Sequence, residues 1–253
     1  MKPKTCILFD IDGTLIHTHG AGRAAFARAV CETLNVEDDL ASISFAGATD
    51  LDLFQQLCSK HGVTCTSERQ SQFFHLLEHY LGATLRAQNT LLYPGVVELL
   101  DALSQVSSVL LGLLTGNAEK CARIKLETHA LNGYFSFGGY GHEFAIRGDI
   151  AKKAKERALR LAGHDEMNFF VIGDTPKDVL AAQTIGATCI AVATGSYSQE
   201  ALREAGAAFV VEDLSDTKQL AGTLKTLEQT PEPSEQLAEG FRALEERPYT
   251  SLG

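Results

Sequence analysis

The 253-residue sequence lacks the marks of several broad protein classes. Its six cysteines, Cys6, Cys31, Cys58, Cys65, Cys121 and Cys189, are scattered and form no CxxC pair. That argues against a zinc site or disulfide framework and for buried, reduced thiols. No apolar run approaches membrane-spanning length, and Lys2 and Lys4 are followed by only residues 6–9 before Asp10 interrupts. Neither a membrane segment nor a signal peptide is expected, and a cytoplasmic setting is the default. An excess of positive charge is also missing: 22 Lys and Arg stand against 32 Asp and Glu, a net charge of −10. Broad electrostatic binding to nucleic acid or to an anionic membrane is therefore not expected. No internal repeat is visible, and nothing in the sequence fixes an oligomeric state.

What remains is an ordinary globular balance, 45% hydrophobic and 21% charged, in a chain long enough for a core domain carrying a smaller one. Short apolar runs at residues 6–9, 109–114, 169–172 and 188–192 read as strands buried on both faces. Helix-like sequence separates them, so the connections are crossovers and the fold class is α/β with a Rossmann-like parallel sheet and helices on both faces. Nearly a hundred residues lie between the first two runs, with helical patterns at 24–34, 51–60 and 69–86. This is too much for a simple crossover, and residues 17–90 read as a small all-helical domain inserted after the first strand. The core is then 1–16 with 91–225. Further helices are expected at 96–103, 118–131 and 150–161, and another starts at Thr175-Pro176, with a hydroxyl N-cap and proline at the first position. Gly186 is placed at its end. From Thr230 the composition turns to Pro, Glu and Gln, and 226–253 reads as an exposed tail.

Ligands of such sheets gather beyond the carboxyl ends of the strands. The first run ends in FDIDGT, the second in Thr115-Gly116-Asn117, the third in Gly173-Asp174-Thr175-Pro176-Lys177-Asp178. Asp10 and Asp12 are one residue apart, and like charges that close need a cation between them or a proton on one. Thr115 offers a hydroxyl, and the N–H groups at the start of the following helix favour anions; a helix-capping role for Thr115 is the simpler alternative. Asp178 falls on a first helical turn, where the helix dipole alone would favour it. Asp174 has no such explanation and points to a hard, oxygen-ligated cation such as Mg²⁺.

With DxDGT, T-G-N, a basic region and GDxxxD in that order, the sequence resembles the haloacid dehalogenase-like hydrolase superfamily, particularly its phosphoglycolate-phosphatase-like members, over roughly residues 5–225. The resemblance implies that the helical insertion is a cap and that Asp10 is a nucleophile forming an aspartyl-phosphate. It implies that Asp12 protonates the leaving group and later activates water. Mg²⁺ would be held by Asp10, the backbone carbonyl of Asp12 and Asp174, with Asp178 orienting its water ligands. Thr115 and the N–H of Gly116 would bind the transferring oxygens, and Asn117 is a further candidate for substrate binding. The resemblance further implies a phosphatase for a small phosphorylated metabolite, phosphoglycolate-like or a sugar phosphate. A phosphomutase needs the same acid/base residue and stays open, as does a receiver-like phosphoaspartate signalling protein. Members of the superfamily place a Lys or Arg between the second and fourth motifs, frequently as Lys-Pro. Here that region reads GGYGHEFAIRGDIAKKA. Arg147 is the residue chosen, with Lys152 and Lys153 as alternatives.

In the insertion, Gly47-Ala48-Thr49-Asp50 resembles the family's substrate-specificity loop, making Thr49 a candidate substrate contact; an N-cap for the next helix explains it equally well. Ala48 stands where many relatives carry a basic residue, so an anionic substrate tail would need Arg23 or another cation. His75 and His79 share a helical face without an HExxH pattern and read as surface. His17 and His19 form an HxH that reads as hinge or surface. The glycines of GGYG lack the strand–GxGxxG–helix context of a dinucleotide site.

Overall fold

The structure, a computed structural model, describes residues 4–86 and 89–216. In chain order its elements are β1 (Thr5–Phe9), β2 (Ile16–His17), α1 (Ala21–Leu34), α2 (Asp50–Lys60), α3 (Ser67–Thr84), β3 (Leu91–Leu92), α4 (Val96–Ser104), β4 (Val109–Thr115), α5 (Glu119–Glu127), β5 (Gly138–Tyr140), α6 (Arg147–Ala162), β6 (Asn168–Gly173), α7 (Pro176–Thr184), β7 (Thr188–Val192), α8 (Gln199–Glu204) and β8 (Phe209–Val211). The proposed tail at 226–253, and the end of the proposed core beyond 216, lie outside the described residues.

Six strands form one parallel sheet in the order β5-β4-β1-β6-β7-β8, with β1 at the point where the connections reverse direction. This is the doubly wound, Rossmann-like α/β arrangement that the alternating apolar runs predict. The two-residue period of β1 sorts its side chains between the layers. Ile7 and Phe9 join Val96, Leu99 and Leu100 of α4 and Leu126 of α5 on one face. Cys6 and Leu8 join Ile150, Ala151 and Ala154 of α6 and Val179 of α7 on the other. The small residues of α6 and α7 let those helices lie close to the sheet.

Helices α1, α2 and α3 build a separate apolar cluster around Phe26, Phe54 and Phe73. Phe54 and Phe73 stack with centroids 4.3 Å apart, and Phe26 meets Phe73 edge-on at 5.0 Å. A two-stranded antiparallel ribbon, Ile16↔Leu92 and His17↔Leu91, brackets these helices at the chain's exit from and return to the sheet. Ala118 and Cys121 of the α5 region belong to the same cluster, so α5 packs against both the sheet and α1–α3.

The strands and helices foreseen in the sequence recur with small shifts, and the differences have local causes. The helix expected at 118–131 ends at Glu127, and a 3-10 turn at Leu131–Tyr134 follows Ala130 in the left-handed region. Edge strands β5 and β8, each three residues long, were too short to leave a periodic signal. The GGYG glycines serve β5 in part, Gly138 and Gly139 being strand residues. All six cysteines are free thiols, four of them buried. Among the described residues, no helix is long and apolar enough to cross a membrane. Leu8 is fully buried at the centre of the sheet. Leu8→Ala is expected to lower stability by about 2–5 kcal/mol, read as a lower urea midpoint at unchanged slope.

Candidate active site

Strand register brings the polar residues together. Phe9 pairs with Leu113 on one side and Ile172 on the other. Asp10 is therefore level with Leu114 of β4 and Gly173 of β6, and Thr115 and Asp174 emerge beside it one residue further along their strands. The backbone of Asp10 is still tied to the sheet, its N–H donating to the Ile172 carbonyl at 2.9 Å. Gly13 then takes φ +84°, a conformation natural to glycine. A Cβ there would fall 2.3 Å from Asp174 Oδ2, so the glycine also makes room for that carboxylate.

Asp10, Asp174 and Asp178 each offer an oxygen within 4.8 Å of the others, and all three are buried. Arg147, at the start of α6 and itself buried, lies 3.0 Å from Asp10 Oδ1 and 2.5 Å from Asp178 Oδ1, and its Nε donates to Asp178 at 3.0 Å. Asp178 also completes a reciprocal capping box with Thr175 at the start of α7. Lys152 and Lys153, the alternatives to Arg147, pair instead with Asp149 and Glu156 of their own helix.

One guanidinium does not balance three carboxylates. Burial, opposed by Arg147 and reinforced by Asp178 and Asp12, pushes the Asp10 carboxyl up to about 6. Burial, then the charges of Asp10 and Asp178, push Asp174 up to about 8, against the Thr14 hydroxyl that donates to it at 3.2 Å. Burial would lower the Arg147 pKa, but Asp10 and Asp178 outweigh it and raise it. A buried, oxygen-only donor set with surplus negative charge fits a hard divalent cation.

Asp12 faces elsewhere. Its carboxylate accepts from Lys125 Nζ at 2.7 and 2.6 Å and from Asn117 Nδ2 at 2.7 Å, and lies outside the three-carboxylate cluster. The Asn117 amide also donates to Thr115 Oγ1 at 2.8 Å, and its oxygen accepts from Lys125 at 2.7 Å. Lys125 was not singled out in the sequence. Burial works against its ammonium, yet Asp12 and Asp50 raise its pKa overall. Its signal was present: Lys125 lies four residues after Cys121 and three after Ala122, on the apolar face of α5.

The structure gives the Thr49 hydroxyl two partners: it accepts from Asp52 N at 3.1 Å, capping α2, and donates to the Ala145 carbonyl at 2.9 Å. Its neighbour Asp50 donates its backbone N–H to the Gly116 carbonyl at 2.8 Å, and its half-buried carboxylate accepts from Ala118 N at 2.7 Å. Thus the 47–50 loop rests directly on the Thr115-Gly116-Asn117 turn. Between them and the strand ends lies a cavity of about 480 Å³, lined by Asp10, Asp12, Thr115, Gly116, Asn117 and Arg147 among others. His75 and His79 are exposed on α3 and belong to no metal-ligand cluster among the described residues.

A family model of haloacid dehalogenase-like hydrolases matches residues 4–186. The chain belongs to that family. Among curated relatives of this hydrolase, a phosphoglycolate phosphatase of Rhodospirillum rubrum is 29% identical over 224 residues, 83% of this chain and 87% of that protein. The probable phosphatase IndB of Dickeya dadantii is 26% identical over 239 residues, 91% and 98% of the two chains. In three dimensions the hydrolase is similar to a crystal structure of a hydrolase from Pseudomonas syringae, with a TM-score of 0.65 at 24% identity over 88% of this chain and 99% of that one. By family and by these curated relatives it is an enzyme, a phosphatase-like hydrolase.

The surplus carboxylate charge has a sign that can be measured. Because folding raises the Asp174 pKa to about 8, from the usual carboxylate value of about 4, the folded chain keeps a proton that the unfolded chain releases. The stabilisation is full below about pH 4 and is lost as the pH rises toward about 8. Asp174→Asn is expected to raise the Tm of the metal-free protein more at about pH 8 than at about pH 5, each kcal/mol relieved being worth about 2–4 °C in a chain of this size.

Proposed function

We propose that this hydrolase is a Mg²⁺-dependent phosphatase for a small phosphorylated metabolite and works through an aspartyl-phosphate on Asp10. The observation that carries the reading is the convergence of buried Asp10, Asp174 and Asp178 with Arg147, with Asp10, Asp174 and Arg147 lining the cavity. Asp10, Asp174 and the backbone carbonyl of Asp12 would hold the ion, with Asp178 beside them. Bound there, Mg²⁺ would offset the negative charge of the carboxylates and of the phosphate.

In the reaction so read, a carboxylate oxygen of Asp10 attacks phosphorus and the ester P–O bond breaks. Asp12 delivers a proton to the departing alkoxide. The Thr115 hydroxyl and the Gly116 N–H bind the transferring oxygens, and Arg147 neutralises charge beside Asp10. Asp12 then takes a proton from the water that attacks phosphorus, releasing phosphate and restoring Asp10. Lys125 and Asn117 hold the Asp12 carboxylate at one place throughout, which makes them positioning residues for both proton transfers. Helices α1–α3, the unit at 17–90, act as a cap that excludes bulk water while the phosphoryl group is on the enzyme.

Asp10→Asn is expected to fold normally and release no phosphate above background from a metabolite panel assayed with Mg²⁺. Appreciable turnover by the pure variant overturns the nucleophile assignment, and isomerised sugar phosphates in place of free phosphate favour a mutase. Lys125→Met is expected to cut kcat for alkyl phosphates about 10²-fold, the low end of what a positioned acid contributes. It should slow p-nitrophenyl phosphate far less, because that leaving group departs without a proton; an equal loss on both substrates contradicts the positioning role.

A further inference from the structure

The cavity is built for more than a phosphoryl group. Its volume of about 480 Å³ falls in the range of sites that enclose drug-sized ligands. A phosphorylated hydroxy acid as small as phosphoglycolate would leave most of it unfilled. The walls away from Asp10 come from α1–α3 and the segments flanking them: half-buried Phe45 and Tyr93, the edges of the buried Phe26, Leu53, Leu77 and Leu81 behind them, and His17, Thr18 and Ser196 nearer the strand ends.

The charges in the cavity point the same way. Arg23, Lys125 and Arg147 are the Lys and Arg side chains that line it. Lys125 directs its ammonium at both oxygens of Asp12 and at Asn117. Arg147 is committed to Asp10, Asp178 and the Leu114 carbonyl. Arg23 lies with its guanidinium 5.1 Å from the Phe45 ring centroid and donates to the Leu40 carbonyl at 2.6 Å. Ala48, Ala46 and Gly47 line the loop that faces the strand ends and bring no cation. Asp50 adds a half-buried carboxylate to the same wall. A carboxylate on the substrate would meet the Phe45 and Tyr93 rings and a like charge, with the two buried cations already paired and Arg23 held against Phe45 and the Leu40 carbonyl.

We infer that the alcohol part of the substrate is uncharged, largely apolar and larger than a small hydroxy acid, and that Phe45 together with the α2 and α3 leucines selects it. The inference takes its chemistry from the phosphatase reading above and its selectivity from the cavity. An apolar wall rewards each methylene removed from water, whereas an open or polar one does not.

A homologous series tests this with the chemistry held nearly constant, since straight-chain alkyl phosphates have similar leaving groups. With Mg²⁺ present, kcat/KM is expected to rise about fourfold per added methylene from ethyl to hexyl phosphate, the gain from burying one CH₂. Phosphoglycolate should fall below butyl phosphate, and Phe45→Ala should flatten the rise. A flat series, or a preference for phosphoglycolate that Arg23→Gln removes, overturns the inference while leaving a phosphatase. Calorimetric binding of non-hydrolysable alkyl phosphonates separates the two claims. If no ester releases phosphate but phosphonate affinity climbs with chain length, the cavity assignment stands and the phosphatase reading falls; phosphonate affinity independent of chain length overturns the cavity assignment.

Discussion

Asp10, Asp174 and Asp178 are buried within 4.8 Å of one another and face one guanidinium, that of Arg147. Carboxylates at that spacing repel, and burial removes the water that would screen them. Each surrounding feature answers to this imbalance. Arg147 begins α6 so that its side chain reaches both Asp10 and Asp178. Thr14 and Thr175 lend hydroxyls to Asp174 and Asp178. Gly13 leaves space where a side chain would strike Asp174. What still lacks compensation raises the Asp10 and Asp174 pKa values, and a divalent cation is the economical remedy.

A second polar cluster sits beside the first and is electrically distinct from it. Asp12 is paired with Lys125 and Asn117, and Lys125 belongs to α5, which packs against both the sheet and the α1–α3 helices. The geometry therefore separates two carboxylates that are neighbours in the sequence: Asp10 turns toward the other acids, Asp12 toward a cation. Two groups that are neighbours in the sequence thus sit in different electrostatic surroundings, one among carboxylates and one beside an ammonium.

The sequence made legible what depends on local pattern. The apolar runs at 6–9, 109–114, 169–172 and 188–192 are strands, and the polar ends of the first three lie at one edge of the sheet because those strands are parallel and end within two residues of one another. Arg147 is legible from the family's pattern of a basic residue before this helix, and it does lie on Asp10, but nothing in the local spacing shows that it also bridges to Asp178. The place of Lys125 on the apolar face of α5 is visible in the sequence, but its partner Asp12 is 113 positions away, so the pairing itself is not. Thr49 was read both as substrate contact and as helix cap; only tertiary structure shows its hydroxyl bonded to Ala145. The short edge strands β5 and β8 are held by pairing with longer neighbours rather than by their own propensity, so three residues of sequence could not announce them.

The central claim is that Asp10 carries the phosphoryl group. Its most direct test is to mix the enzyme with Mg²⁺ and an alkyl phosphate, quench within one turnover in acid, and locate the phosphoryl group by mass spectrometry of the proteolysed chain. One phosphoryl group on the peptide containing Asp10, absent in Asp10→Asn, is the result this account predicts. A phosphoryl group on another residue, or turnover of the ester with no phosphorylated peptide under conditions that trap acyl phosphates, contradicts it.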